Sequence, residues 1–198
     1  MLARALVANV PTAWVTGDEV YGGARRLRLW LEAERHPFVL AIKRSEPLWV
    51  LSERGPLEQS AATIAASVAP EDWTCLSAGD GAKGPRLYDW AQVAIRPLRD
   101  LGWAHWLLVR RSLTDPEDVA YYVCFAPAGT PLEELVRVAG TRWTIESCIE
   151  EAKGEVRLDQ YEVRKWDGWY RHITLALFAH AMLTVIRARA VERGAPQR

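Results

Sequence analysis

Residues 141–154 read TRWTIESCIEEAKG, and a helical projection of this segment places one acidic and two basic side chains on one face. Glu146 lies four positions after Arg142 and seven before Lys153, so at about 100° per residue the three side chains point within a narrow arc. Arg157 extends the same stripe. An acid flanked by bases suits a metal ion and a phosphodiester together, because the carboxylate binds the metal and the cations bind the phosphate. A solvated helix face with ordinary ion pairs has the same spacing.

An apolar stripe runs along the same predicted helix, about a quarter turn from the charged one. Its members are Ile145, Cys148, Ala152 and Val156. Such a stripe predicts that one edge of the helix docks on a sheet. Glu146 is therefore expected beside the core and not opposite it.

A second acidic residue, Asp18, follows a short apolar run near the start of the chain. Residues 13–22 read AWVTGDEVYG and lead into a basic segment. An apolar run that ends in Gly-Asp and turns into a helix is typical of a buried strand with a carboxylate at its C-terminal end. An Asp before a turn is also a common helix cap or turn former.

The string formed by Arg142, Glu146 and Lys153 resembles the tail of the Y-R-E-K signature of bacterial insertion-sequence transposases, the cut-and-paste branch of the DDE, RNase H-like superfamily. The segments 161–166, YEVRKW, and 168–175, GWYRHITL, are similar to the C-terminal block of that family. Residues 13–22 resemble the segment that carries the second catalytic Asp. Ala139 stands where the signature has its Tyr.

The resemblance implies a role for each matched residue. Asp18 and Glu146 would be catalytic and would bind Mg²⁺ or Mn²⁺, while Trp143 and Ile145 would support the catalytic helix. The residues implied to contact phosphate or DNA are Arg142, Lys153, Arg157, Lys83, Arg86, Arg164 and Arg171. For Lys83 and Arg86 a plain surface loop is an equal alternative.

The resemblance also implies a third carboxylate, which this chain does not supply. In the family the first catalytic Asp lies on the first strand of the sheet, well before the second, whereas Asp18 is the first acid here. Three antiparallel strands and a helix should precede Asp18, so the chain resembles the C-terminal two-thirds of a transposase. We expect it to be inactive or nearly so by itself, because phosphoryl transfer by two metal ions needs enough carboxylate to hold both.

Composition is consistent with a folded, soluble domain in a reducing compartment. The hydrophobic content of 49% excludes wholesale disorder, and 25 basic against 25 acidic residues restrict DNA binding to local patches. Three widely spaced cysteines without a Cys-x-x-Cys pair predict neither disulfides nor zinc and favour the cytoplasm. The apolar run 173–186 is shorter than the roughly 20 residues of a membrane span and predicts a buried helix.

The predicted fold is α/β, an incomplete RNase H-like domain that lacks its first strands and carries an inserted antiparallel β region. Strands at 13–15 and 38–42 flank a basic helix at 24–35, which implies a parallel crossover. Strands at 88–95, 105–110 and 119–125 predict an antiparallel meander, and the chain is helical from Pro131 onward. The expected segments are 1–52, 53–130 (β-rich insertion, with a helix after Pro56), 131–190 (catalytic-type and C-terminal helices) and a tail at 191–198.

Three functions fit these features. The chain is a transposase-derived domain that is inactive alone, a non-catalytic DNA-binding or transposase-interacting remnant, or a stable domain without present activity. Expected partners are insertion-sequence ends, a second copy, a full-length transposase or an upstream fragment, and no membrane. The segment 79–84 has the spacing G-x-G-x-x-G, but Pro85 follows and no helix opens there, so a nucleotide site is not predicted.

Overall fold

The computed structural model describes residues 2–81, 84–96 and 102–194 and divides into two compact units, residues 1–142 and 143–198. Each unit is described by itself. The elements in chain order are α1 (Leu2–Val7), β1 (Val15–Gly17), α2 (Glu19–Gly22), α3 (Arg25–Ala33), β2 (Phe38–Ile42), β3 (Pro47–Ser52), β4 (Gly55–Ser60), α4 (Ala61–Ala66), a 3-10 turn (Pro70–Asp72), β5 (Thr74–Gly81), β6 (Gly84–Ile95), β7 (Trp103–Arg111), β8 (Val119–Pro127), α5 (Leu132–Val156) and α6 (Trp166–Glu192).

The first unit is a mixed α/β domain built on a six-stranded sheet in the order β1-β2-β8-β7-β6-β5. β1 and β2 are parallel, with Val15 opposite Phe38, and the other neighbours are antiparallel. β3 and β4 form a separate two-stranded sheet. The predicted parallel pair and the predicted meander are both confirmed.

Apolar side chains cover both faces of the six-stranded sheet, because the central strands are apolar at consecutive positions. In β7, Leu107 packs in one cluster with Leu31 of α3 and Ile64 of α4. Its neighbour Leu108 packs in the opposite cluster with Leu135 of α5. Because successive side chains of a strand point to opposite faces of the sheet, the side chains of β7 enter both hydrophobic clusters in turn. The sheet of the first unit therefore has helices on both sides, which is the α/β architecture predicted from the sequence.

Strands β5 to β8 continue the sheet of β1 and β2, although the sequence assigns residues 53–130 to an inserted region. The reason lies in β2, whose residues Phe38 to Leu40 are buried and whose two edges both need a hydrogen-bonding partner. β1 supplies one edge and β8 the other. In this structure the β region therefore extends the sheet of the first segment.

The helix predicted between Glu53 and Pro70 is shorter than expected, because a hairpin takes up its first part. β3 and β4 pair from Pro47 with Ser60 to Ser52 with Gly55, and Gly55 has a φ of 113° at the turn. Ser60 then caps α4, since its hydroxyl accepts from the N–H of Thr63 at 3.1 Å. The prediction missed a hairpin whose polar second strand shows little apolar alternation.

The C-terminal helix α6 is not the buried helix that the sequence predicts. It runs without interruption from Trp166 to Glu192, and by length and composition alone it is long and apolar enough to cross a membrane. Leu175, Phe178 and Ile186 are between 58% and 63% exposed. The expectation failed because an apolar run shows that a helix forms, but not that another element covers it.

Candidate functional site

Asp18 directly follows β1 and forms the N-cap of the short helix α2. Its Oδ1 accepts hydrogen bonds from the backbone N–H groups of Val20 at 3.0 Å and Tyr21 at 3.3 Å. The residue itself is extended and exposed. The interpretation of Asp18 as a helix cap is confirmed, and its role as a metal ligand stays a prediction.

Two substitutions of Asp18 test its role as a helix cap. Asp18→Ala should lower the free energy of unfolding by about 1 kcal/mol, because two N–H groups lose their acceptor. Asp18→Asn should leave stability within about 0.5 kcal/mol, since Asn and Asp cap equally well. Urea denaturation of the three proteins measures this. Equal stability of the Ala and Asn variants would contradict a capping role.

The segment before β1 is fixed to the start of α5 within the first unit. Trp14 Nε1 donates to Glu134 Oε1 at 3.1 Å. Arg137 donates two further hydrogen bonds to the same carboxylate, at 2.6 and 2.7 Å. The hydrogen bonds from Arg137 lower the pKa of Glu134 from its ordinary value. The strand that leads to Asp18 and the first turn of α5 are thus held together by an ionised acceptor.

Two of the predicted DNA contacts that the structure describes, Arg86 and Arg142, lie in the first unit. Arg86 Nη2 donates to the carbonyl oxygens of Ala78 at 2.7 Å and Gly140 at 3.3 Å. Arg142 is half-buried and close enough to Tyr122 to act on its phenol. Burial raises the pKa of that phenol, against the opposing charges of Arg110 and Arg142. Lys83 lies outside the described residues.

Glu146 and Lys153 lie on α5 in the second unit, and both are exposed. They are seven residues apart in a continuous helix, so they share a face to within about 20°. Arg157 does not extend this stripe, because α5 ends at Val156 and Arg157 has a φ of 53°. A left-handed residue directly after the last turn is a common way for a helix to end.

The apolar stripe of the same helix is mostly exposed. Ile145 is 57% exposed and Cys148 is also exposed, whereas Ala152 is fully buried and Val156 half-buried. The prediction that all four positions dock on a sheet is therefore wrong. Periodicity predicts which side chains share a helix face, but not which of them another element covers.

Exposed cations and aromatic rings occur together between residues 161 and 171 of the second unit. Arg164 and Arg171 are exposed, as predicted for phosphate contacts. Trp166 is 70% exposed, and its ring stacks on that of Trp169 with centroids 4.7 Å apart. Tyr170 is 62% exposed beside them. Flat rings beside free guanidinium groups are chemically suited to nucleic acid, because bases stack and phosphates pair with arginine.

The donor set for Mg²⁺ or Mn²⁺ falls short in the part of the chain that the structure describes. Among those residues no group of three or more His, Cys, Asp and Glu side chains is arranged to hold a metal ion. Asp18 lies in the first unit and Glu146 in the second, and one oxygen of Asp18 is already bound to backbone N–H groups. The described residues therefore supply no set of ligands for two metal ions.

A cavity of about 390 Å³ in the first unit involves none of the predicted site residues. His105 lines it, is 4% exposed, and has its Nε2 3.1 Å from Oε1 of Glu32 without the alignment of a regular hydrogen bond. Arg96 donates to both oxygens of Glu32. Burial acts to raise the pKa of Glu32, but His105 and Arg96 outweigh it and lower that pKa. Glu32 of α3 is thus paired with Arg96, which directly follows β6, and with His105 of β7.

The second unit contains a polar cluster that the sequence did not predict. Cys148 on α5 contacts His180 on α6, and Glu155 on α5 lies on the other side of the His180 ring. Cys148 and Glu155 are seven residues apart on one helix face, but His180 follows 32 residues after Cys148. No local pattern links the two segments, so only knowledge that α6 packs on α5 would have identified the cluster.

No protein-family model matches the chain, and no curated protein matches it either.

Proposed function

We propose that this chain is part of a DDE-type transposase domain of RNase H-like ancestry that binds DNA and does not cleave it by itself. The observation that carries the proposal is the position of Asp18. It follows the last residue of β1, which is parallel to its neighbour β2. Carboxyl ends of parallel strands are where open α/β sheets place their functional groups.

The order of elements along the chain supports the same ancestry. The parallel pair β1 and β2 is followed by the antiparallel strands β5 to β8 and then by the long helix α5, which carries Glu146. The resemblance implies this order of Asp, strand, β-rich region and helix with Glu. The pairing of the β region with β2 supports a single extended sheet of mixed direction.

The proposed lack of cleavage follows from the carboxylates. Two-metal phosphoryl transfer needs a clamp of acids around both cations, and the described residues bring no three such donors together. Residues 1–17 contain no Asp or Glu. In the order that the resemblance implies, the first carboxylate would have to come from outside these 198 residues.

The proposed DNA binding is supported by the exposed cations of the second unit. Lys153, Arg157, Arg164 and Arg171 are all exposed, and exposed aromatic rings lie among the last two. Because the net charge of the whole chain is zero, attraction to DNA has to come from such a patch and not from the overall field.

A salt titration with a matched pair of variants tests the DNA-binding proposal. Binding of a short labelled DNA duplex should weaken linearly in log K against log salt, because each neutralised phosphate releases counterions. The double variant Arg164→Ala, Arg171→Ala should flatten this slope by about 2 and weaken binding about tenfold or more. Fluorescence anisotropy at several salt concentrations gives both quantities.

The control removes the same charge from another part of the second unit. Arg189 and Arg193 are also exposed, near the end of α6 and after it. The variant Arg189→Ala, Arg193→Ala should keep the slope of the unmodified chain. Equal losses in the two double variants would reject the patch, and binding that does not respond to salt would reject nucleic acid as the partner.

A further inference from the structure

Three side chains of the second unit are arranged in the order thiol, imidazole, carboxylate. Cys148 Sγ lies 3.5 Å from Nε2 of His180. On the other side of the ring, Nδ1 of His180 lies 3.5 Å from Oε2 of Glu155. Arg187 donates a hydrogen bond to the remaining oxygen, Oε1 of Glu155. Cys148 and Glu155 come from α5, and His180 and Arg187 from α6.

The imidazole in this row of side chains is buried, whereas the thiol is exposed to solvent. The side chain of His180 is only 7% exposed, and its Nδ1 has no regular hydrogen-bond partner among the described residues. The carboxylate that lies against this nitrogen is that of Glu155, at 3.5 Å. Cys148, in contrast, is exposed. A reagent in solution can reach the sulfur while the imidazole behind it is shielded from water.

This order of groups has a known chemical use. A nucleophile, a base in contact with it, and a third group that orients the base form the general pattern of an activated nucleophile. Distances of 3.5 Å are long for hydrogen bonds but are common in such sites before a ligand binds. A hydrogen bond from Arg187 lowers the pKa of Glu155, so the orienting group is held in its ionised form.

An ordinary ion pair would explain only part of the cluster. It accounts for Glu155, Arg187 and one ring nitrogen of His180. It does not require an exposed thiol at the other ring nitrogen.

We propose that Cys148 is a modification site that forms a mixed disulfide with small disulfide molecules. In this step the sulfur of Cys148 attacks one sulfur of the small disulfide, and the bond between the two sulfurs of that molecule breaks. The thiol proton passes to Nε2 of His180, the released half of the molecule leaves as a thiolate, and the thiolate then takes up that proton from His180 to become a thiol. Cys148 is oxidised and the small disulfide is reduced, so atoms and electrons balance.

The other two cysteines provide internal references in the same protein. Cys75 on β5 is exposed, and Cys124 on β8 is fully buried. Burial also raises the pKa of the Cys124 thiol, which makes this residue inert in the folded state. The full-length chain is treated with a limiting amount of an aromatic disulfide at one neutral pH, and peptide mass spectrometry measures the rate at each cysteine. Cys148 should react about tenfold faster than Cys75, because a histidine base is in contact with the attacking sulfur.

Two variants connect the rate to the neighbours of Cys148. His180→Gln keeps a polar side chain but removes the base, and it should slow Cys148 to within about twofold of Cys75. Glu155→Gln leaves the imidazole of His180 in place and should slow the reaction of Cys148 less, because only the orientation of the ring is affected. Both variants should leave the rate at Cys75 unchanged. Glutathione disulfide, used as a second probe, should give the same order of rates.

The comparison in the unmodified chain is sufficient to reject the proposal, whether or not the variants fold. Reaction of Cys148 at or below the rate of Cys75 would reject it. A fast reaction that persists in the His180→Gln variant, with Cys124 still unreactive, would also reject it, because the base would then have no part in the step.

Discussion

Purified chain that is incubated with Mg²⁺ or Mn²⁺ and insertion-sequence end DNA is expected to leave both DNA strands uncut. The physical reason is the number of carboxylates. Oδ1 of Asp18 already accepts hydrogen bonds from the N–H groups of Val20 and Tyr21. Among the described residues, no group of three or more His, Cys, Asp and Glu side chains is placed to hold a metal ion. A second cation would have no adequate set of ligands. Gel electrophoresis of end-labelled DNA measures the result, and strand cleavage that copurifies with the chain would contradict it.

A complementation experiment tests whether cleavage returns when the missing carboxylate is supplied by another fragment. If the DNA upstream of the codon for Met1 encodes strands and an Asp, co-expression of that fragment should restore cleavage. Glu146→Gln in the restored complex should then reduce cleavage by about a hundredfold or more, because a neutral amide is a poor metal ligand. Asp18→Asn should do the same while α2 keeps its cap. A restored complex that tolerates both changes would show that these carboxylates are not the catalytic ones.

Gly140→Ala is expected to lower the free energy of unfolding by about 3 kcal/mol, the largest stability effect that we predict. A Cβ at this position of α5 would lie 2.1 Å from the carbonyl oxygen of Ala78 and 2.8 Å from its carbon. Both atoms belong to the backbone of β5, in the irregular stretch between Ser77 and Asp80 where the register with β6 shifts, so the clash can be relieved only by a backbone movement of β5 or α5. The same carbonyl accepts a hydrogen bond from Arg86. Urea or thermal denaturation measures the loss.

Gly154→Ala is the matched control on the same helix. No atom lies within 4 Å of the Cβ that would be added there. Alanine should therefore stabilise α5 by about 0.5 to 1 kcal/mol, because it loses less backbone entropy than glycine in a helix. A loss of unfolding free energy at Gly140 together with a gain at Gly154 would distinguish the effect of close packing from that of helix propensity. A neutral or stabilising effect at Gly140 would show that α5 and β5 do not meet as closely as described.

The elements with strong local signals were predictable from the sequence. The run Phe38 to Ile42 predicted β2 at its observed bounds, and the alternation of β-branched and aromatic residues predicted β6, β7 and β8 in their antiparallel order. Pro131 marked the start of α5. In each case the side chains that form the element are also those that bury it, so periodicity and packing lead to the same conclusion.

The parts that failed depend on contacts between distant segments. The hairpin of β3 and β4 was missed because β4 is polar, and its pairing comes from the Gly55 turn and from Leu48 packing into the core. Nor did the sequence indicate that Arg86 donates hydrogen bonds to the carbonyl oxygens of Ala78 and Gly140, and its predicted contact with DNA stays a prediction. The stripe of charged side chains on α5 ends before Arg157, because the helix ends at Val156. Sequence spacing gives the direction of a side chain and not what it meets there.

The exposed apolar side chains of α6 should affect how quickly the chain is degraded in a cell. Leu175, Phe178, Met182, Val185 and Ile186 are each between 49% and 63% exposed along this helix. Chaperones and proteases recognise unfolded proteins by apolar side chains of this kind, so a correctly folded copy presents the same signal as a damaged one. Its abundance should therefore be set less by the stability of its sheet than by how quickly quality-control machinery finds this helix.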